Sequence, residues 1–345
     1  MSASPAKKFK NPRALYNFQG RSCSITGVGS YVPAKILSNF DLEKMVDTTD
    51  DWIITRTGIK ERRLAAKDEF TSDMAARAAE RAMKMAGVIA GQIDLVIVAT
   101  ISPDMPFPST ACLVQQKIGA KRAAAFDLEA ACSGFIYGLE IGQQFIMSRT
   151  YDTVLVIGAE KLSAITDWKD RNTCVLFGDG AGAAVLQNRP NSHGLLTAVM
   201  GADGGSANLL FMPGGGSRCP PTIDSVNSRL HYLRMNGRET YKSAVQAMYT
   251  AAREALRRCE LEISQIKCII PHQANRRIID AVGERIGAKP GQMFVNLERY
   301  GNTSAASVAI ALDEAVAAGK IQRGDLVLLI VFGAGLTWGA AVIEW

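Results

Sequence analysis

Histidine is scarce in this chain: His193, His231 and His272 are the only three among 345 residues. A His-rich metal centre is therefore not expected. The seven cysteines (23, 112, 132, 174, 219, 259 and 268) form no CxxC pair and no metal-ligand spacing, and their number is odd. A disulfide framework does not fit, and a reducing, cytoplasmic compartment is the simplest account. Long apolar runs are missing as well, since charge, Gly or Pro breaks each one well short of a membrane span. The first twenty residues carry Lys7, Lys8, Lys10 and Arg13 without an apolar core, so 1–20 reads as a basic extension and not a secretory signal. An organellar transit peptide is the alternative, although the stretch is short and poor in Arg. The glycine cluster Gly178-Asp179-Gly180-Ala181-Gly182 lacks both the Walker lysine and a following helix pattern. It is thus no phosphate loop, and close backbone packing between strands is expected instead.

What is present fits a soluble α/β protein: 48% hydrophobic and 21% charged residues, enough for two domains or one large duplicated one. The formal net charge is +6 and the pI about 8.9. That falls short of a nucleic-acid footprint but suits an acidic partner docking on one face.

The apolar runs define the order of elements. Cys23 to Tyr31 reads as a strand, Asn39 to Met45 as a short helix and Thr71 to Ala86 as an Ala-rich helix closed by Gly87. Ile93 to Thr100 and Thr153 to Gly158 are strands of the kind buried on both faces. Ser192 to Asn227, rich in Gly and Pro, reads as a long surface excursion and the natural seam between two halves, 21–190 and 191–345. The second half repeats the first. A long helix over Glu239 to Cys259 leads to the strand Ile266 to Pro271, then Phe294 to Leu297 turns through Gly301-Asn302-Thr303-Ser304 into an Ala-rich helix. Leu326 to Val331 and Gly339 to Trp345 follow as strands. This order mirrors FDLEAACSG and TVLVIG at closely similar spacing, which implies an internal duplication with a mixed sheet in each half.

Three side chains could carry chemistry. Cys132 follows an apolar strand and precedes a helix pattern (Phe135, Leu139, Ile146), so it sits near a helix start that favours the thiolate. A buried, inert cysteine is the plain alternative. His272 lies at the end of the strand IKCIIP, where ligands gather in parallel sheets, and a helix start there would keep it neutral. Asn302 is an amide donor whose plain alternative is a helix N-cap. If the two central turns meet near a pseudo-twofold axis, Cys132 and Asn302 face one site. A thiol nucleophile with two neutral N–H donors suits acyl transfer followed by stabilisation of charge on a second carbonyl oxygen. The same set suits a papain-like hydrolase. Trp52 and Arg56, four residues apart, either pack on a helix face or stack on an adenine ring.

AACSG, FGDGAGAAVL, PHQAN, GNTSAAS and FGAGLTWG, in this order, resemble the β-ketoacyl-acyl carrier protein synthase III family, condensing enzymes of the thiolase superfamily. The resemblance runs from about Arg21 to Trp345. It implies a duplicated thiolase-like αβαβα five-layer fold in a homodimer, with Cys132, His272 and Asn302 catalytic and the N–H groups of Cys132 and Ala334 as the oxyanion hole. The implied reaction loads Cys132 from acetyl-CoA or a similar primer. Malonyl-acyl carrier protein then loses CO2, and its enolate, held by His272 and Asn302, attacks the acyl-cysteine. By the same resemblance Trp52 and Arg171 sandwich the CoA adenine, Thr48 lies nearby, and Asn275 orients His272 and the pantetheine arm. Phe107 would reach into a neighbouring subunit's acyl pocket, which Leu162 and Phe177 also shape. Lys242, Arg277 and Arg285 would face the acidic carrier protein, or else form an ordinary solvated face. Ala334 stands where some members have Gly, and Tyr241 replaces a common Phe. No cofactor is implied, because the CoA thioester is a substrate, and no nucleic-acid or membrane partner is expected. Other readings are a secondary-metabolite ketosynthase or acyltransferase of the same superfamily, a Cys-His-Asn thioester hydrolase, or a non-catalytic acyl-binding scaffold.

Overall fold

The computed structural model describes residues 21–189 and 194–345. The basic extension 1–20, the 190/191 boundary and His193 lie outside them. In chain order the elements are β1 (Cys23–Tyr31), β2 (Lys35–Ser38), α1 (Asn39–Glu43), α2 (Asp50–Thr57), β3 (Glu61–Leu64), α3 (Thr71–Ala86), β4 (Leu95–Ala99), α4 (Thr110–Lys117), β5 (Ala124–Leu128), α5 (Gly134–Met147), β6 (Thr153–Glu160), α6 (Arg171–Cys174) and β7 (Gly180–Asn188). They continue with β8 (Leu195–Ala202), β9 (Leu210–Phe211), α7 (Ile223–Asn227), β10 (Arg234–Met235), α8 (Gly237–Arg258), β11 (Cys268–Pro271), α9 (Arg276–Ile286), α10 (Leu297–Tyr300), α11 (Ala306–Ala317), β12 (Leu326–Gly333) and β13 (Thr337–Glu344).

Two mixed sheets organise the molecule. One has the order β1-β7-β6-β4-β5 and the other β11-β12-β13-β8. In the first, β4 runs parallel to β5 and β6, while β7 is antiparallel to β6 and β1. In the second, β11 and β12 are parallel, and β13 is antiparallel to β12 and β8. Laid side by side, β4, β6, β7 and β1 correspond to β11, β12, β13 and β8. The fifth position differs. Where the sequence suggests a strand at Phe294 to Leu297, only an isolated bridge joins Met293 to Ile269, because α10 begins at Leu297.

The strands β4 and β6, apolar except for Thr153 and Glu160 at the two ends of β6, are buried along their whole length, since each has a strand on either side and helices on both faces. α3 covers the outer face of the first sheet and α8 that of the second. α5 and α11 lie between the sheets in one continuous core that includes Ile97, Val156, Leu139, Val308, Leu329 and Ile343. The result is the αβαβα five-layer arrangement. Ser192 to Asn227 is not one surface excursion: Leu195–Ala202 is β8, hydrogen-bonded to β13 as the edge of the second sheet. Its residues, LLTAVMGA, show no clean period-two alternation, and the glycines that follow give the stretch a loop-like composition. The glycine cluster packs differently from expectation too. A Cβ on Gly182 would lie 2.5 Å from the Ala309 Cβ, so the missing side chains let β7 approach helix α11, not another strand.

Candidate active site

Cys132 owes its place to a sharp strand-to-helix turn. β5 ends at Leu128, Ala131 adopts φ 46°, and a short 3-10 turn over Ala131–Ser133 feeds α5. Left-handed backbone at a residue with a Cβ costs on the order of 1 kcal/mol or more, so neighbours must hold it. Thr337 does so: its Oγ1 lies 2.9 Å from the Ala130 carbonyl and 3.1 Å from Ser133 Oγ. Gly333 closes on the same turn. A Cβ there would sit 2.7 Å from Cys132 N, and only glycine lets the Gly333-Ala334 backbone run alongside the cysteine.

The helix start does not make Cys132 a resting thiolate. The residue is 6% exposed, and burial pushes its thiol up to about 12. A nearby Ser304 hydroxyl works against that rise, and the charge of Glu160 adds to it. Desolvation thus outweighs the dipole.

His272 follows β11, its N–H donating to the Ile330 carbonyl at 2.7 Å. Ser307 Oγ on α11 lies 2.6 Å from Nδ1 and accepts from the Gln273 N–H at 3.4 Å. That Nδ1 bond fixes the ring's orientation, and where the Ser307 hydroxyl donates to Nδ1 the ring proton sits on Nε2. Burial alone lowers the His272 pKa to about 3. The ring is neutral, as expected, but because of desolvation and not a helix start: α9 begins only at Arg276.

Asn302 is not a helix cap. Its N–H donates to the Leu176 carbonyl (2.8 Å), its carbonyl accepts from Gly178 N–H (3.0 Å), and its Oδ1 accepts from Ser304 N–H (2.8 Å). The short bridge to Phe177 fixes the backbone, and the Oδ1 bond leaves the Nδ2 amide as the free donor.

A cavity of about 700 Å³ is lined by Cys132, His272 and Asn302 together with Trp52, Arg56, Phe177, Arg238, Tyr241, Lys242, Asn275, Arg277 and Gly333. A second, of about 800 Å³, is lined by Cys132, Leu162, Phe177, Ser304 and Ala334, with Leu210 and Leu233. The two share Cys132, Phe177 and Leu210, so the cysteine stands where they meet.

The remaining candidates divide. Trp52 is half-buried on α2, with the Arg56 and Arg171 guanidinium carbons 4.6 and 4.9 Å from its ring centroid. Arg171 is also held by the Asp47 carbonyl at 2.6 Å. Thr48 lies beside this group with its Oγ1 buried and unpaired, but lines neither cavity. Asn275 does not orient His272. It caps α9 by accepting from Arg277 N–H (2.9 Å) and donates to the Arg56 carbonyl (3.0 Å), while Ser307 orients the imidazole. Phe107 is 84% exposed and outside both cavities. Lys242 and Arg277 rim the first cavity, with Lys242 paired to Glu239 at 3.0 Å. Arg285 stands apart, 4.3 Å from the Tyr249 ring centroid. Sequence reasoning passed over Arg238, Ser304, Ser307 and Gly333. Arg238, in the first turn of a helix, carries no signal of its own, and Ser307 is reached only once α11 is docked on β11.

Residues 126–204 match the family described as 3-oxoacyl-[acyl-carrier-protein (ACP)] synthase III, and residues 256–345 match its C-terminal family. The chain is 55% identical over 324 residues to the beta-ketoacyl-[acyl-carrier-protein] synthase III of Caldanaerobacter subterraneus, covering 94% of this chain and 98% of that one. Among solved structures, the 3-oxoacyl-[acyl-carrier-protein] synthase III of Aquifex aeolicus is 48% identical, with a TM-score of 0.88 over 94% of this chain and all of that one (100%). The priming beta-ketosynthase of the R1128 polyketide biosynthetic pathway is 36% identical, with a TM-score of 0.87 over 98% of each chain.

Proposed function

Because the chain belongs to the β-ketoacyl-[acyl-carrier-protein] synthase III family of acyltransferases, we propose that Cys132, His272 and Asn302 carry out its decarboxylative condensation as two separable half-reactions. An acyl-CoA primer, acetyl-CoA in the simplest case, loads Cys132 with release of CoA. Malonyl-acyl carrier protein then loses CO2, and the enolate attacks the acyl-cysteine to give 3-ketoacyl-acyl carrier protein, the first step of type II fatty acid synthesis. The observation that carries this division of labour is that two uncharged side chains able to donate, the His272 imidazole and the Asn302 amide, share a cavity with the thiol. Neutral donors stabilise an oxyanion as it forms, whereas a carboxylate would repel it. A His held neutral by burial is a poor general base for water, which counts against thioester hydrolysis.

The N–H groups of Cys132 and Ala334, brought together by Gly333, serve as the oxyanion hole for acyl transfer. Trp52, Arg56 and Arg171, with Thr48 nearby, bind the CoA nucleotide, and Asn275 meets the pantetheine arm. Leu162 and Phe177 line the acyl side, completed by Phe107 of a second copy in a homodimer. Lys242, Arg277 and Arg285 receive the acidic carrier protein. The chemistry calls for no cofactor, and seven free thiols suit a cytoplasmic setting. The likeness to a polyketide-priming ketosynthase supports a second reading, the same chemistry serving secondary metabolism.

The test separates the half-reactions. Asn302→Ala, checked for its fold, is expected to take up label from radioactive acetyl-CoA yet to release CO2 from malonyl-carrier protein ~10²–10³-fold more slowly. Cys132→Ala takes up no label. Equal loss of both steps in Asn302→Ala sinks the division of labour.

A further inference from the structure

A buried cation stands behind the wall of the first cavity. Arg62, the second residue of β3, is fully buried, and among the described residues no carboxylate bonds to it directly. Burial lowers its pKa to about 10, so the guanidinium stays charged at neutral pH. An apolar side chain of similar volume would fill the space without the desolvation penalty. It could not donate, and donation is what Arg62 does here. Nη1 donates to the Leu37 carbonyl (3.1 Å) and to Asn39 Oδ1 (2.9 Å), and Nη2 donates to the Val175 carbonyl (2.7 Å).

Val175 begins the segment that grips Asn302. Val175, Leu176 and Phe177 line the first cavity together with that asparagine. The Leu176 carbonyl accepts the Asn302 N–H at 2.8 Å, and the Gly178 N–H donates to the Asn302 carbonyl at 3.0 Å. β3 holds both ends of the segment: Arg62 binds Val175, and the Arg63 carbonyl accepts the Asp179 N–H at 2.8 Å. The stem of Arg62 packs into the same joint. A Cβ on Gly178 would lie 3.1 Å from the Arg62 Cβ, and one on Gly301 would lie 3.5 Å from it. Because Asn302 Oδ1 is held by the Ser304 N–H, the position of this backbone decides where the Nδ2 donor points.

The other arm of Arg62 points toward the cavity mouth. Asn39 Nδ2 donates to Asp50 Oδ1 (2.9 Å) and to the Ile59 carbonyl (2.8 Å), so the buried charge meets a carboxylate through an amide. Asp50 opens α2, the helix that carries Trp52 and Arg56. That helix has fastenings of its own. Thr49 Oγ1 accepts the Trp52 N–H at 3.1 Å, and Glu43 accepts the Asp50 N–H at 2.7 Å. Loss of Arg62 is therefore felt mainly at Val175.

We propose that Arg62 is a positioning residue for Asn302: it pins Val175 and, through the 175–178 segment, sets the amide that serves the condensation half-reaction. The inference rests on the condensing-enzyme reading above. Arg62 touches neither substrate nor reacting atoms, since it lines neither cavity that meets at Cys132. Its removal lets one end of the segment drift, and a donor displaced by a fraction of an ångström stabilises an oxyanion poorly. Loading of Cys132 does not draw on that donor. The two half-reactions should thus respond differently to the loss of Arg62.

The experiment compares Arg62→Met, which keeps the bulk without the donors, with Arg62→Lys, which keeps the charge. Acetylation of Cys132 is followed by rapid quench and intact-protein mass spectrometry, and CO2 release from malonyl-carrier protein is measured on enzyme already acetylated. Arg62→Met is expected to load at close to the wild-type rate but to release CO2 ~10-fold more slowly. Arg62→Lys should recover part of that loss. A double-mutant cycle separates positioning from general support: in an Asn302→Ala background, Arg62→Met should slow CO2 release no further. Equal loss in both half-reactions, or the same loss in both backgrounds, overturns the inference. If Arg62→Met fails to fold, Arg62→Lys carries the same cycle: a smaller loss confined to CO2 release and to the Asn302 background supports the pin, and any other result overturns it. Normal CO2 release from Asn302→Ala itself overturns the reading of the site, whereas normal release from Arg62→Met beside a slow Asn302→Ala overturns the pin alone.

Discussion

At the scale of single residues, the mouth of the first cavity is governed by flat cations on one aromatic ring. Arg56 and Arg171 both lie against Trp52, and Arg171 is further tied to the Asp47 carbonyl. A purine has the same flat shape and gains from the same ring and guanidinium faces. Trp52→Ala and Arg171→Ala are each expected to weaken use of acetyl-CoA by ~0.5–2 kcal/mol. An acetyl-pantetheine thioester, which has no nucleotide, should show no such difference. If both variants stay impaired with the truncated substrate, the stacking role is wrong.

At the scale of elements, close approach between strand and helix positions the catalytic loops. The Gly182 position faces Ala309, with 2.5 Å to its Cβ and 2.8 Å to its carbonyl carbon, so β7 and α11 meet backbone to backbone. Gly182→Ala should cost ~1–3 kcal/mol by overpacking, seen as a lower urea midpoint at unchanged slope. An unchanged midpoint would show that α11 can shift freely on the sheet. This layer also marks how far the sequence could be read. β1 and α3 were legible to their ends, because apolar periodicity and a closing Gly87 are local signals. Cys132, His272 and Asn302 stood out through the motifs around them. β8 was missed because the glycines after Ala202 dominate its surroundings, and the strand at Phe294 was overdrawn because a repeat in sequence need not repeat every hydrogen bond. The thiol's high pKa was out of reach, since it depends on how tightly α11 and β12 close over the turn after β5. Ser307 and Ser304 were hidden for the same reason.

At the scale of the whole molecule, the basic side chains are spread unevenly around the opening. Arg238, Lys242 and Arg277 rim the first cavity, and Arg285 lies further along the same α8–α9 face. Replacing Lys242, Arg277 and Arg285 with Glu should slow turnover with malonyl-carrier protein, most at low salt, where exposed charges act over a Debye length of ~10 Å or more. Loading from acetyl-CoA should be almost unaffected. Equal loss in both half-reactions would instead indicate a damaged fold.

The shared position of Cys132, lining both cavities at the point where they join, has a kinetic consequence. On the proposed reading, CoA and the carrier's pantetheine arm use one doorway, while the growing chain waits in the inner room. The visitors must take turns, so free CoA should obstruct the carrier protein without displacing the acyl group already lodged on the sulfur. A cell rich in unacylated CoA would then throttle this step by occupying its threshold.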